Sequence, residues 1–154
     1  MEVHIVTFPE TEVVCTSHLG SPDAEHETVR KLVAWKLQHR LVDSSKYRHY
    51  GLHYITPISN VPAIHRVDFC LSFDGEVTDN PHGIAKRTIP SMKCAFARDV
   101  GSRLNNTAAV YLFERWLPAS GMMPSGYPVI FHYVNIGPDV RDEEAITDVY
   151  LPLD

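Results

Sequence analysis

Residues 20–35 read GSPDAEHETVRKLVAW, and residues 101–116 read GSRLNNTAAVYLFERW. Gly20-Ser21, Val29 and Trp35 return as Gly101-Ser102, Val110 and Trp116, all 81 positions on. Upstream, Thr7 and Pro9 return as Thr88 and Pro90 at the same distance. Downstream, His53-Tyr54 falls on His132-Tyr133, 79 apart, and Asp68 and Leu71 fall on Asp148 and Leu151, 80 apart. Matches that keep one order through small changes of spacing mark a tandem duplication, residues 3–73 and 84–153 of a single domain spanning 1–154. Two copies of a half-sheet packed about a pseudo-two-fold axis leave a seam, and a seam is a natural place for a ligand groove.

Each copy divides in the same way. Val3–Thr7 and Val13–His18 are short β-branched runs, and Pro9-Glu10-Thr11 suggests a hairpin turn between them. Gly20 breaks the strand, and Ser21-Pro22-Asp23 supplies a capping hydroxyl, a proline for the first turn and an acid for the helix dipole. A helix is predicted to about Leu41, with Val29, Leu32, Val33, Leu37 and Leu41 in one stripe. Strands follow at Gly51–Thr56 and His65–Phe73, with a loop at Ile58–Ala63. Asp74–Gly83, with Asp74-Gly75 and Asn80-Pro81-His82-Gly83, reads as the joint. The second copy repeats strands at Ile84–Ile89, Lys93–Arg98, Val129–Asn135 and Thr147–Leu153. Its helix runs from about Asn105 to Leu117, with Asn106 or Thr107 as cap and Ala109, Leu112, Phe113 and Trp116 as the apolar stripe. The pattern predicts an α+β fold: β-β-α-β-β twice, one antiparallel sheet of about eight strands with two helices on one face.

The net charge of −5 and the scattered Lys and Arg argue against a broad nucleic-acid surface. No apolar run approaches the length of a membrane span, and no signal peptide is visible. Three cysteines without paired spacing, Cys15, Cys70 and Cys94, point to reduced thiols in a cytoplasmic protein. No phosphate loop, nucleophile elbow or metal motif is present, so no cofactor, metal ligand or catalytic residue is assigned. His49 and His53 would share a strand face without further ligands to complete a metal site.

The motifs Trp116-Leu117-Pro118-Ala119-Ser120-Gly121, Phe131-His132-Tyr133-Val134-Asn135 and Thr147-Asp148-Val149-Tyr150-Leu151-Pro152-Leu153 resemble the GyrI-like small-molecule-binding domain. Such domains stand alone or form the effector-binding region of AraC-type and MerR-type regulators, and both contexts fit a chain without a helix-turn-helix segment. The resemblance implies a groove at the junction of the repeats that accepts hydrophobic, often cationic, compounds. In several members a Glu two residues before the equivalent of Tyr133 balances the ligand's charge; here that position is Phe131.

Alternation along the strands puts Leu52, Tyr54 and Thr56 on one face, and Phe131, Tyr133 and Asn135 on another. Pseudo-symmetry predicts that these faces adjoin at the seam and form the pocket wall, against ordinary core packing as the alternative. Trp35 and Trp116 on the helices, Tyr111 beside Val110, and Asp148 as a substitute acid complete the candidate ligand-binding set. Asp68 and Asp148 also read as structural carboxylates, Glu114 as a more remote acid, Met122-Met123 as a lid or a mobile loop, and Asp139–Glu144 as a solvated face. The leading expectation is a module that binds an aromatic small molecule. The alternatives are a protein partner, as for a gyrase inhibitor, and hydrolysis of a reactive compound.

Overall fold

A computed structural model describes residues 1–43, 46–54 and 65–154. Among the described residues, eight strands form one antiparallel sheet: β1 (His4–Phe8), β2 (Thr11–Gly20), β3 (His49–His53), β4 (His65–Ser72), β5 (Ala85–Ile89), β6 (Met92–Val100), β7 (Val129–Tyr133) and β8 (Ile146–Pro152). A 3-10 turn (Pro22–Ala24) leads into α1 (Glu25–Gln38). The second helix is composite, with α2 (Thr107–Tyr111), a π-helical turn (Leu112–Trp116) and α3 (Leu117–Ser120). The predicted strand end at Thr56 and the loop Ile58–Ala63 lie outside the described residues.

The strand order is β1-β6-β8-β7-β3-β4-β2-β5. Exchanging each strand with its counterpart (β1 with β5, β2 with β6, β3 with β7, β4 with β8) reproduces that order reversed, as a pseudo-two-fold axis at the β3–β7 seam requires. The predicted β1–β2 hairpin is corrected. β1 pairs with β6 and β5 pairs with β2, so each copy lends its first strand to the other. Turn chemistry at Pro9 is local and does not name the pairing partner. Phe8 and Thr11 are at most about 11 Å apart along the chain, yet β1 ends the sheet at one side and β2 lies next to the other end. The sheet is therefore strongly curled.

The curl creates two faces. Phe8, Val13, Tyr50, Leu52, Cys70, Ile89, Cys94 and Ile130 fill the inner face. The Phe8 ring stands edge-on to Tyr150, two strands along, at 5.1 Å and to Tyr50, four strands along, at 5.9 Å, and a flat sheet would keep the second pair far apart. The outer face carries the helices. Val14 and Leu71 pack under Leu32 and Trp35 of α1, and Ala95, Ala97, Val149 and Leu151 pack under Ala108 and Leu112.

Three further expectations change. The buried stripe of α1 is Thr28, Leu32 and Trp35, while Val33 and Leu37 are exposed and the helix stops at Gln38. Neither Asn106 nor Thr107 caps the second helix by its side chain; Asn106 adopts a left-handed backbone, and the Asp99 carboxylate on β6 accepts the Ala108 N–H at 3.3 Å. Cys15 and Cys70 are joined in a disulfide, leaving Cys94 as the free, buried thiol. They face each other directly across β2 and β4, Cα to Cα 4.3 Å, the close pairing of an antiparallel ladder. A sequence separation of 55 hides that adjacency, and the thiol argument for a reducing compartment falls with it.

Candidate functional site

The seam fixes which side chains share a face. β3 and β7 pair with Gly51 opposite Phe131, His49 opposite Tyr133 and His53 opposite Val129. Residues directly opposite one another project from the same side of a sheet. Phe131 and Tyr133 therefore rise on the outer face, between the two helices, together with His49 and His53. Leu52 lies opposite Ile130 and, with Tyr54, belongs to the inner face. The expected wall of Leu52, Tyr54, Phe131 and Tyr133 is thus divided between opposite sides of the sheet. The cause is the spacing: β3 and β7 superpose at 80 residues, His53 onto Tyr133, where the His-Tyr identity suggested 79. A slip of one residue turns every side chain to the other face.

A cleft of about 340 Å³ opens on the outer face over this seam. Phe131, Tyr133 and Val149 form part of its floor, and Glu25, His53, His65, Asp99 and Arg103 its polar walls. The Tyr133 ring lies across the backbone of Gly51, where a Cβ would come within 2.6 Å of the hydroxyl; only a glycine gives the ring this seat. The hydroxyl shares a 3.3 Å hydrogen bond with His53 Nε2. The His53 imidazole tilts over Phe131 with ring centres 4.1 Å apart. Burial, and then the neighbouring His65, hold the His53 pKa down at about 4, so the ring is neutral at pH 7. Burial and the Glu25 charge push the Tyr133 phenol well above its ordinary range.

Glu25, in the first turn of α1, places Oε1 2.5 Å from His65 Nε2 on β4. Arg103 is fixed from the loop before α2. Its Nη2 donates to the carbonyls of Asn135 (2.8 Å) and Ile146 (3.0 Å), and its Nε donates to Thr147 Oγ1 (3.0 Å). Its guanidinium lies 5.4 Å over the Tyr133 ring. A separate, smaller apolar hollow of about 220 Å³ shares Tyr133 and Arg103 with the cleft and is walled by Val29, Leu32, Phe69 and Ile136.

The remaining sequence candidates lie elsewhere. Trp116 packs in the apolar cluster that also contains Phe131 and Tyr133. Trp35 is 1% exposed, stacked on His39 and edge-on to Phe73 within the core under α1. Tyr111 is half-buried on α2 and does not line the cleft. Asp148 projects from the inner face, where Arg98 holds it through both oxygens at 2.7 and 2.9 Å. The acids at the cleft are Glu25 and Asp99 instead. Glu25, two residues after the helix-dipole acid Asp23, carried no site signal of its own, nor did His65 or the stretch Asp99–Arg103, because these three segments meet only in the folded sheet.

The model of the GyrI-like small molecule binding domain matches residues 1–154. The chain is 30% identical over 154 residues to the probable transcriptional regulator YgiV of Escherichia coli K12, covering 99% of this chain and 96% of YgiV. The EcmrR C-terminal domain superposes with a TM-score of 0.76 at 14% identity, covering 99% of this chain and 97% of that domain. In the EcmrR–DNA complex this chain spans 57% of the EcmrR chain. SAV2435, solved bound to tetraphenylphosphonium, superposes with a TM-score of 0.59 at 12% identity, covering 100% and 94% of the two chains.

Proposed function

We propose, from the premise that this chain belongs to the GyrI-like small-molecule-binding family, that it captures an aromatic compound, preferably cationic, in the cleft over the β3–β7 seam. One observation carries the reading: two aromatic rings, Phe131 and Tyr133, floor a cleft of about 340 Å³ whose wall holds the Glu25 carboxylate. Apolar walls with a few convergent polar groups are the usual make-up of a small-molecule site. The aromatic side chains give an aryl compound apolar area to bury, and the Glu25 carboxylate attracts a cation by about 4 kcal/mol at 4 Å in such surroundings, before desolvation and against the opposing charge of Arg103 on the same wall. The family resemblance implies a Glu at the position of Phe131 in several members, and here Glu25 brings a carboxylate to the same cleft from α1. SAV2435 supports the ligand class, since the compound in its structure is a tetra-aryl cation. The likeness to a probable transcriptional regulator supports a sensing or sequestering role inside the cell, with any relay passing to a protein partner.

Calorimetric titration with tetraphenylphosphonium tests this. The expected affinity is micromolar, on the order of −8 kcal/mol. Glu25→Gln should weaken it about tenfold, and Phe131→Ala by about as much. Failure of the cation to bind at millimolar concentration, or affinity unchanged in both variants, contradicts the proposal.

A further inference from the structure

A second cleft, about 480 Å³, lies at the end of β5 and is distinct from the groove over the seam. β5 begins at Ala85, opposite Cys15, whereas β2 runs on to Gly20, so the sheet edge steps back and leaves a hollow. The joint closes one side. Asn80 pins it by accepting the N–H groups of His82 (3.1 Å) and Ile84 (3.0 Å) and donating to the Ile84 carbonyl (2.9 Å).

Among the described residues, four cations line this hollow, Lys31, Arg66, Lys86 and Arg87, against one carboxylate, Asp68. The local balance is 4 − 1 = +3 in a chain of net charge −5. Arg87 donates to Asp68 Oδ2 at 2.5 Å and to the Tyr54 hydroxyl at 2.8 Å. Arg66 reaches the same carboxylate at 3.3 Å, with its guanidinium 4.0 Å over the Tyr54 ring. Among the described residues, Lys31 and Lys86 form no ion pair.

The second copy provides an internal control. Asp148, 80 residues after Asp68, is also buried and, among the described residues, is held by Arg98 alone. The strand positions matched to Arg66, Lys86 and Arg87 are Ile146, Ile5 and Val6. A buried carboxylate in this fold therefore needs one arginine. The first copy carries three more cations than that, gathered around a cavity with the Thr16 and Ser17 hydroxyls in its wall.

We propose that this hollow binds the phosphate group of a small phosphorylated compound. Two guanidinium forks already held by Asp68, Tyr54 and Tyr127 offer planar donors to phosphate oxygens, and the two lysines add point charges. The site is independent of the groove over the seam, and its ligand is of opposite charge.

Pyrophosphate, titrated calorimetrically into the intact chain at physiological salt, is the probe. Saturable one-to-one binding is expected. Lys31→Ala/Lys86→Ala should weaken it about tenfold or more with an unchanged melting temperature, because neither lysine holds the Asp68 cluster. Arg115→Gln, an exposed cation remote from the hollow, should leave it unaltered. Adenosine monophosphate and ribose 5-phosphate then separate recognition of a nucleotide from recognition of the phosphate alone. Absence of pyrophosphate binding by the natural chain, or equal binding by the double-lysine variant, overturns the proposal. Tetraphenylphosphonium titrated in parallel reports on the seam groove separately.

Discussion

Replacing Gly51 by Ala tests the seam at its tightest point. The added methyl would sit 2.6 Å from the Tyr133 hydroxyl, 3.1 Å from His53 Nε2 and 3.3 Å from Tyr133 Cε2. Ordinary contact begins at 3.4 Å, so the hydroxyl must retreat by 3.4 − 2.6 = 0.8 Å. Two effects oppose each other. Stiffening the unfolded chain favours the variant by about 0.4–1 kcal/mol, and overpacking disfavours it by about 1–3 kcal/mol. Overpacking should win, because Tyr133 has Arg103 above it and shares its hydroxyl with His53. The net loss should be about 1 kcal/mol, a fall of about 2–4 °C in melting temperature for a chain of this size. Urea denaturation of Gly51→Ala, Tyr133→Phe and the double variant gives the coupling. With the hydroxyl removed, the same Ala should be neutral or stabilising. Gly51→Ala more stable than the natural chain, or equally harmful in both backgrounds, would refute the placement of Tyr133.

Burial lowers the His53 pKa from 6.5 to about 4, with His65 adding to the effect. The unfolded chain then binds more protons than the folded one, so stability is complete above pH 6.5 and is lost as pH falls towards 4, by up to about 3 kcal/mol. His53→Gln should shrink that loss in urea melts across this window, with His49, also held at about 4, and His132, also lowered by burial, contributing to the remainder; an identical pH profile would count against a buried neutral His53. Thiol titration of the unfolded chain should find one reactive cysteine before reduction and three after, and reduction should cost about 4 kcal/mol for a loop of 55 residues. Three reactive thiols without reductant would exclude the Cys15–Cys70 bond.

The fold was legible because the duplication was written in residues that make backbone geometry: Gly20 and Gly101 at strand ends, and Trp35 and Trp116 on the helices. Both glycines have φ near +135°, where other residues are strained. Pairing partners were not legible. Pro9 reads as a hairpin turn, but the curl of the whole sheet sends β1 to β6. The candidate cleft was half legible for a related reason. Phe131 and Tyr133 share a strand, so alternation alone puts them together on one face. Whether Leu52 or Gly51 faces them depends on the register of β3 against β7. The local identity of His53-Tyr54 with His132-Tyr133 indicated a register one residue away from that of the sheet. The π-helical turn at Leu112–Trp116 shows the same drift in the helices. Buried Thr28 and Leu32 match Ala108 and Leu112 at 80, and Trp35 matches Trp116 at 81, the extra residue being taken up in the wide turn. Glu25, His65, Asp99 and Arg103 meet only through tertiary structure, and no spacing along the chain announces them.

The most direct test is to record intermolecular nuclear Overhauser effects between tetraphenylphosphonium and the protein's aromatic side chains. The register of β3 against β7 predicts contacts from the ligand's phenyl protons to the rings of Phe131, Tyr133 and His53, on the outer face between the helices. Contacts to Tyr54 and Leu52 in their place would put the ligand on the inner face and contradict the assignment of the binding groove.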